Sequence, residues 1–350
     1  MPDLADAVLP LIRTRSDLWS WSASSAHGAQ MLEAVRRLQI AADVEDPATV
    51  LAVTQRAIAS ALTVIMRADD SGGIIGDACQ ALLDMHPGVA ARAAPPQEKL
   101  VEWMIRFQFH NDCDYFHLDP VGHAPALGQA GMLLYRKRLA EIEASLGPKP
   151  SEEERWSHPR SGEWFTLDLN ARRLAVYDRD IDAIIRTHAR DRKVAAWLQE
   201  TAEALAEVGE LDLAIDWARQ AAEFPGGGYQ SAQAGDYWCV LLAEHRPAEL
   251  LDARLTVLRQ WPSATTAAHL YRDAGPAWPQ HRDEVLSLLA ARPYDAVTFA
   301  LLTLEDVPLA WELAALARTG GPPDLERGHQ SLRTHQPARH PACPRAARRT

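Results

Sequence analysis

Four residues that can ligate a transition metal lie close together in the first half of the chain. They are His110, Cys113, His117 and His123. A zinc ion takes three or four nitrogen or sulfur ligands in tetrahedral geometry, so a loop folded around the ion would supply them. The aromatic neighbours Phe109 and Phe116 favour instead a loop that packs against helices. We expect packing here, and keep a metal-dependent enzyme as an alternative.

A glycine-rich segment with three aspartates, residues 69–77, has a composition that suggests a calcium or phosphate site. Its spacing matches neither an EF-hand nor a P-loop, and carboxylates repel phosphate. The segment therefore predicts a helix-capping turn. Asp77 is expected to cap or charge the start of a helix over 78–85.

Basic side chains recur at roughly helical spacing between residues 172 and 193, and interleaved aspartates offset their charge. This pattern is typical of a solvated ion-pair face, although it could also meet an acidic partner or a nucleic acid. Most of the eleven tryptophans should fill gaps between helices, with exposure of a minority as binding anchors in a groove as the alternative. The residues predicted to bind a partner are Arg179, Arg186, Arg190, Lys193, Trp217 and Trp238, and Arg172 belongs to the same basic stripe.

Composition narrows the function classes. The chain is 47% hydrophobic and 24% charged, and its net charge of -11 argues against general nucleic-acid binding. Four widely spaced cysteines predict neither a zinc finger nor a disulfide framework, and Asp3 and Asp6 are unlike the basic start of a signal peptide. The sequence lacks the G-x-S-x-G, H-E-x-x-H and GK[ST] motifs. We expect a cytoplasmic, non-catalytic protein without a cofactor.

Helical spacing of apolar residues runs through most of the sequence, whereas strand-like alternation is scarce. The apolar segment from Thr49 to Met66 is broken by Gln55 and Arg56, which predicts a core helix rather than a membrane span. A long helical stretch is expected from Gly162 to Arg190.

The second half predicts repeats. Val194 to Pro225 has the pattern of a helix, a turn at Gly209, a second helix and a stop. Later stretches end alike at Trp261-Pro262 and Arg292-Pro293, near the tetratricopeptide period of about 34 residues. A lone helix pair cannot bury its apolar stripe, so neighbouring pairs must stack. We predict an all-α fold, with a tetratricopeptide-like solenoid of helical hairpins after an N-terminal helical bundle.

These elements divide the chain into four parts. They are an N-terminal helical domain at 1–147, a linker at 148–161, tetratricopeptide-like repeats at 162–318 and a disordered basic tail at 319–350. The tail is rich in proline and arginine, and it also resembles a shifted reading frame. Because a solenoid needs a terminal cap, Val307, Trp311 and Leu313 are expected to lie near a poorly covered end.

Four segments carry a family likeness. They are LIRTRSDLWSWSASSAHGAQM, ADDSGGIIGDACQALLDMHP, VEWMIRFQF and ARRLAVYDRDIDAIIRTHARDRKVAAWLQETAEALAEVGELDLAIDWARQA. Over residues 10–318 the chain resembles an actinobacterial family of uncharacterised helical proteins that often accompany a SWIM-type zinc-finger module. The resemblance implies a tetratricopeptide-like scaffold. The CxC…CxH ligands of that module are absent from this sequence, so zinc binding is not carried over.

The leading functional prediction is an intracellular scaffold that binds another protein along the helix pairs of residues 168–317. One alternative is a nucleic-acid-associated accessory protein related to SWIM proteins, which would use the basic residues from Arg179 to Lys193. The other is a metal-dependent enzyme that uses the loop from His110 to His123. The scaffold predicts binding that survives high salt, whereas nucleic-acid affinity should fall steeply as salt rises.

Overall fold

The computed structural model describes residues 3–110, 115–151, 153–154 and 157–319. Over these residues the protein is all-helical, which confirms the all-α part of the fold prediction. The helices of the first half are α1 (Leu4–Ile12), α2 (Trp21–Val44), α3 (Pro47–Ile65), α4 (Ile74–Ala93), α5 (Gln97–Phe109), α6 (Pro120–Leu146), α7 (Ser161–Asp178) and α8 (Ile181–Ala189). Those of the second half are α9 (Ala195–Glu207), α10 (Leu211–Ala222), α11 (Tyr229–His245), α12 (Leu250–Gln260), α13 (Ala264–Ala274), α14 (Trp278–Leu289), α15 (Pro293–Leu302) and α16 (Val307–Thr319).

The chain forms two compact units, Met1–His188 and Ala189–Thr350. The division therefore falls later than the border predicted at 148–161. The reason is that α7 packs against α5 and α6, and so belongs to the first unit. The tail predicted at 319–350 lies outside the described residues, apart from the last residue of α16.

The core of the first unit is built from α1 to α6. Helices α2 and α3 each pack against both α1 and α4. Gly28 lets α2 approach α4 closely, because a Cβ at this position would lie 2.4 Å from the Ile74 side chain. Helix α3 is long and apolar enough to cross a membrane, and half of its apolar window is buried. Val50, Ala57 and Ala61 are fully buried in the core, as expected for a core helix.

The glycine-rich segment 69–77 is a capping turn, as predicted, but the capping side chain is Asp70. Its carboxylate accepts hydrogen bonds from the backbone N–H groups of Ile75 (3.0 Å) and Gly76 (2.7 Å). Gly73 precedes the helix with φ of 75°, a conformation that glycine adopts without strain. Asp77 lies in the first turn of α4, where it can interact with the helix dipole.

We expect Asp70→Ala to lower the free energy of unfolding by about 1–2 kcal/mol, because two N–H groups at the start of α4 lose their acceptor. Asp77→Ala should cost less than about 1 kcal/mol, since its carboxylate acts only through the dipole. Urea unfolding of both variants measures the difference. Equal losses would contradict the assignment of Asp70 as the cap.

Three helical segments have features that the sequence pattern did not predict. Helix α4 continues through Pro87 to Ala93, because the buried Val89 and Ala90 extend its apolar face beyond the proline. Helix α6 begins at Pro120 and is kinked at Gly128, where φ is 59°. The helical stretch expected from Gly162 to Arg190 is divided into α7 and α8, because Arg179 adopts a left-handed conformation with φ of 54°.

In the second unit, α9 and α10 confirm the predicted helix, turn and helix. Gly209 lies in the turn with φ of 85°, and Ala214, Ala218 and Ala221 are fully buried where the helices meet. Small side chains at these positions allow close packing. Farther along, Tyr271, Trp278 and Phe299 form an edge-to-face aromatic cluster.

The outer face of α16 is exposed, in line with the prediction of a poorly covered end. Val307 is 52% exposed and Trp311 is 66% exposed. Leu313 differs from them, because it is partly buried against the core of the second unit.

Candidate functional site

A groove of about 700 Å³ runs between α3 and α5 in the first unit. The residues that line it are Ala52, Gln55, Arg56, Ile58, Ala59, Leu62, Thr63, Met66, Trp103, Arg106, Phe107 and His110. Those on α3 recur every three or four positions, so one face of the helix forms a whole wall. The groove exists because α3 packs mainly on α4, whereas α5 packs on α6 and α7.

His86 of α4 lies at the floor of the groove. The ring of Trp103 stacks on the imidazole of His86, with centroids 4.1 Å apart and planes 16° apart. On the opposite wall, Nε2 of Gln55 lies 3.2 Å from Nε2 of His86. One buried imidazole therefore positions a side chain from each wall.

His86 belongs to a chain of hydrogen bonds that leads into the interior. Its Nδ1 lies 2.9 Å from Nε2 of His123, and Nδ1 of His123 lies 2.8 Å from the carbonyl oxygen of Asp119. A carbonyl oxygen only accepts, so Nδ1 of His123 carries a proton, and Nε2 of a neutral His123 accepts from His86. Nε2 of His86 in turn accepts from the Gln55 amide. All the hydrogen bonds in this series therefore point the same way, from Gln55 through His86 and His123 to Asp119, and both imidazole rings are neutral.

Burial explains why both imidazoles are neutral. His86 is fully buried and His123 is 1% exposed. Removal from water disfavours the charged form and lowers the pKa of His86 to about 3, with a smaller contribution from the neighbouring His123. Burial also lowers the pKa of His123. Protonation of either ring would place one N–H donor against another. Both imidazoles are therefore neutral in the folded protein.

Asp119 fixes the inner end of this chain. Its carboxylate accepts two hydrogen bonds from Arg173 of α7, at 2.8 and 3.0 Å, and one from the backbone N–H of Val121 at 3.0 Å. Asp119 thus caps α6 and ties it to α7. The position of the histidine pair follows from this anchored helix start.

A second group of polar side chains, behind α5, forms a closed ring of hydrogen bonds. Nε2 of Gln108 donates to the hydroxyl of Tyr135 (2.6 Å), which donates to Oδ1 of Asn170 (2.5 Å). Nδ2 of Asn170 completes the ring by donating to Oε1 of Gln108 at 3.0 Å. Burial raises the pKa of the Tyr135 hydroxyl, which stays protonated. The ring joins α5, α6 and α7, and so holds one wall of the groove in place.

The charges at the groove are positive. Arg56 on α3 and Arg106 on α5 are both exposed, and neither has an ion-pair partner among the residues that the structure describes. No aspartate or glutamate is among the lining residues, although the chain carries a net charge of -11. The groove therefore combines apolar walls with unpaired cations.

The four residues considered as metal ligands have different environments. Both ring nitrogens of His123 are used by Asp119 and His86, so this side chain has no lone pair for a metal. His117 packs near the ring of Phe165, with centroids 5.6 Å apart, and His110 is exposed at the end of the groove. Cys113 lies outside the described residues. No group of three or more potential metal ligands occurs among the residues whose placement is described.

The predicted basic stripe does not form one helix face. Arg172 is buried, and Arg179 lies at the break between α7 and α8. Arg186 is exposed on α8, still in the first unit. In the second unit, the Arg190 guanidinium lies 4.5 Å from the ring centroid of Trp197, and Lys193 pairs with Asp191 at 2.8 Å. Helices end within this segment, so the basic residues belong to different elements. Periodicity in the sequence does not reveal these helix ends.

The two tryptophans predicted as partner-binding anchors are buried instead. Trp217 is 6% exposed and Trp238 is 7% exposed, so both belong to the core of the second unit. The guanidinium of Arg192 lies 5.0 Å from the ring centroid of Trp217. Large apolar side chains at the buried positions of a helix fill the core, which corrects the anchor assignment.

Lys193 lines a second, shallower recess of about 540 Å³ in the second unit. Phe224, Gly226 and Tyr229 lie on its other side. This recess contains one predicted partner-binding residue, whereas the α3/α5 groove contains none of those six. Sequence reasoning missed the groove, although Gln55 and Arg56 were visible as polar interruptions of an apolar helix.

The fold and the groove define an all-helical protein with a solvent-open, apolar cleft and cationic side chains. The chain belongs to the family of unknown function DUF6880, which matches residues 20–273. This membership confirms the expected link to uncharacterised proteins. Neither a curated protein nor a solved structure matches the chain.

Proposed function

We propose that this protein is a non-catalytic intracellular scaffold that binds another protein, and that the α3/α5 groove is its principal docking site. The observation that supports this proposal is the open cleft of about 700 Å³, which is lined by the exposed Met66, the partly buried Trp103 and buried apolar side chains behind them. Aromatic residues in a preformed groove are typical anchors for a partner. This places the docking site outside the region 168–317, to which the sequence assigned it.

We also propose that the second unit is a tetratricopeptide-like solenoid. In support, α9 to α16 pack in chain order, each helix on the next. Gly235 of α11 allows close approach to α12, because a Cβ there would lie 2.8 Å from the Val257 side chain. Close crossings at small residues and sequential contacts are typical of helical repeats.

A substitution that fills the groove tests the docking site. Ala59 is exposed on the α3 wall, so Ala59→Trp should block the cleft without changing the core. We expect the amount of partner captured from native cells, measured by quantitative mass spectrometry, to fall about tenfold or more. Ile40→Trp is the matched control, since Ile40 is 66% exposed on α2 and does not line the groove. Equal capture by both folded variants would refute the groove as the docking site.

The same captured material tests the nucleic-acid alternative, including an association with SWIM zinc-finger proteins. Partner binding that depends mainly on the apolar walls of the groove should fall far less with rising salt than nucleic-acid binding does. Nucleic acid that is lost steeply as salt rises would instead support the accessory role.

A further inference from the structure

We infer that the α3/α5 groove takes an acidic amphipathic helix of the partner protein, an inference that rests on the proposed function. The first reason is shape. The lined stripe on α3 runs from Ala52 to Met66 and is about 21 Å long at 1.5 Å per residue, or about four helical turns. The facing wall on α5 is lined from Trp103 to His110, about 10 Å, so a third helix would lay about two turns of its apolar face between both walls and continue along α3.

The second reason is charge complementarity. Arg56 and Arg106 lie on opposite walls, so a helix seated between them meets one guanidinium on each flank. Neither arginine has a carboxylate partner in the described part of the chain, and no acidic side chain lines the groove. Acidic residues that flank an apolar stripe would pair with both, while basic ones would be repelled.

The third reason is the polar floor. Gln55 donates one amide hydrogen to His86, and the one-directional hydrogen-bond chain behind His86 fixes the orientation of this amide. Its Oε1 has no hydrogen-bond partner among the residues described, so it is available to a donor on the occupant. Trp103, which packs against the buried Phe107, supplies aromatic surface on the wall beside it. The occupant is therefore a helix with apolar residues, acidic flanks and one polar donor at its centre.

The inference is tested on the full chain with fluorescent peptides of about 15 residues, which is four turns. The first peptide has a leucine stripe with glutamate flanks and a central serine. The second has lysine for each glutamate, and the third has a central proline that breaks the helix. We expect saturable binding of the first by fluorescence anisotropy, and binding about tenfold weaker or worse for the other two.

Charge reversal on the protein supplies the decisive comparison. Arg56→Glu combined with Arg106→Glu should invert the preference, so that the lysine peptide binds better than the glutamate peptide. The matched control is Arg272→Glu combined with Arg282→Glu, which leaves the groove unchanged and should keep the original preference.

Three outcomes would overturn the inference. They are no saturable binding of the glutamate peptide, equal binding of the glutamate and lysine peptides, and a preference that the double reversal leaves unchanged. If dodecanoate at equal concentration displaces the peptide, the groove is a site for an anionic amphiphile. This result would also overturn the inference. If native-partner capture is still lost in Ala59→Trp, the docking site stands and only the acidic class of its occupant fails.

Discussion

The protein is expected to lose stability steeply as the pH falls below 6.5, because the first unit buries two neutral imidazoles. In the unfolded chain, His86 and His123 titrate near the ordinary histidine pKa of 6.5, whereas burial lowers the pKa of both in the folded protein, that of His86 to about 3. Below pH 6.5 the unfolded state therefore binds more protons. The stabilising contribution is complete above pH 6.5 and is lost as the pH falls towards 3.

The expected loss is large enough to measure before carboxyl groups titrate. His86 contributes about 1.4 kcal/mol per pH unit once the pH is well below 6.5, so this ring should cost about 2 kcal/mol between pH 7.5 and about 5, and the lowered pKa of His123 adds to the loss. The free energy of unfolding, from urea titrations at a series of pH values, gives this slope.

A histidine variant assigns the slope to the buried pair. His86→Gln should be less stable at neutral pH, because it loses the stack on Trp103, but its stability should vary much less between pH 7.5 and about 5. His245→Gln is the control, since His245 is an exposed residue at the end of α11 and should leave the slope as it is. The assignment fails if His86→Gln keeps the full pH dependence.

Removal of one hydroxyl from the buried polar ring is the second change with a large expected effect. Tyr135→Phe leaves an N–H of Gln108 and Oδ1 of Asn170 without their partner in the interior. Since each unsatisfied buried group costs about 1–3 kcal/mol, we expect a loss of about 2–5 kcal/mol in the free energy of unfolding. The effect should be greatest in probes of the α5–α6–α7 contact, such as hydrogen exchange.

Two variants make this prediction specific. Tyr177→Phe removes a hydroxyl from a side chain that is 37% exposed, and should change stability by less than about 0.5 kcal/mol. Asn170→Leu combined with Tyr135→Phe should cost less than the sum of the single changes, because both have already broken the same ring. Additive losses, or a Tyr135→Phe variant as stable as the natural chain, would show that the ring does not stabilise the packing of α7.

Local patterns predicted the helical fold and the positions of several helices. Asp46 caps α3 through the Thr49 N–H at 2.9 Å, as the Asp-Pro sequence indicates. The hairpin of α9 and α10 agrees in both helices and in its glycine turn. These features depend on apolar spacing and on side chains within four residues of each other, which are visible in one dimension.

Other boundaries were wrong where distant packing outweighed a local preference. Proline at position 87 usually ends or kinks a helix, yet α4 continues because the residues after it are buried in the core. Arg179 has no glycine-like freedom, yet it takes a left-handed conformation that separates α7 from α8. Consequently no single helix carries the basic stripe that residue spacing predicted.

The sequence by itself determined an all-helical protein, the positions of several helices and the apolar character of α3. Only the tertiary structure decided the candidate site, because its floor joins Gln55, His86, Trp103 and His123 from four different helices. Helix formation follows from contacts between near neighbours, whereas a groove is the space left between elements that pack on other partners. The gap between α3 and α5 depends on how α4 and α6 hold each of them, and no local pattern records that arrangement.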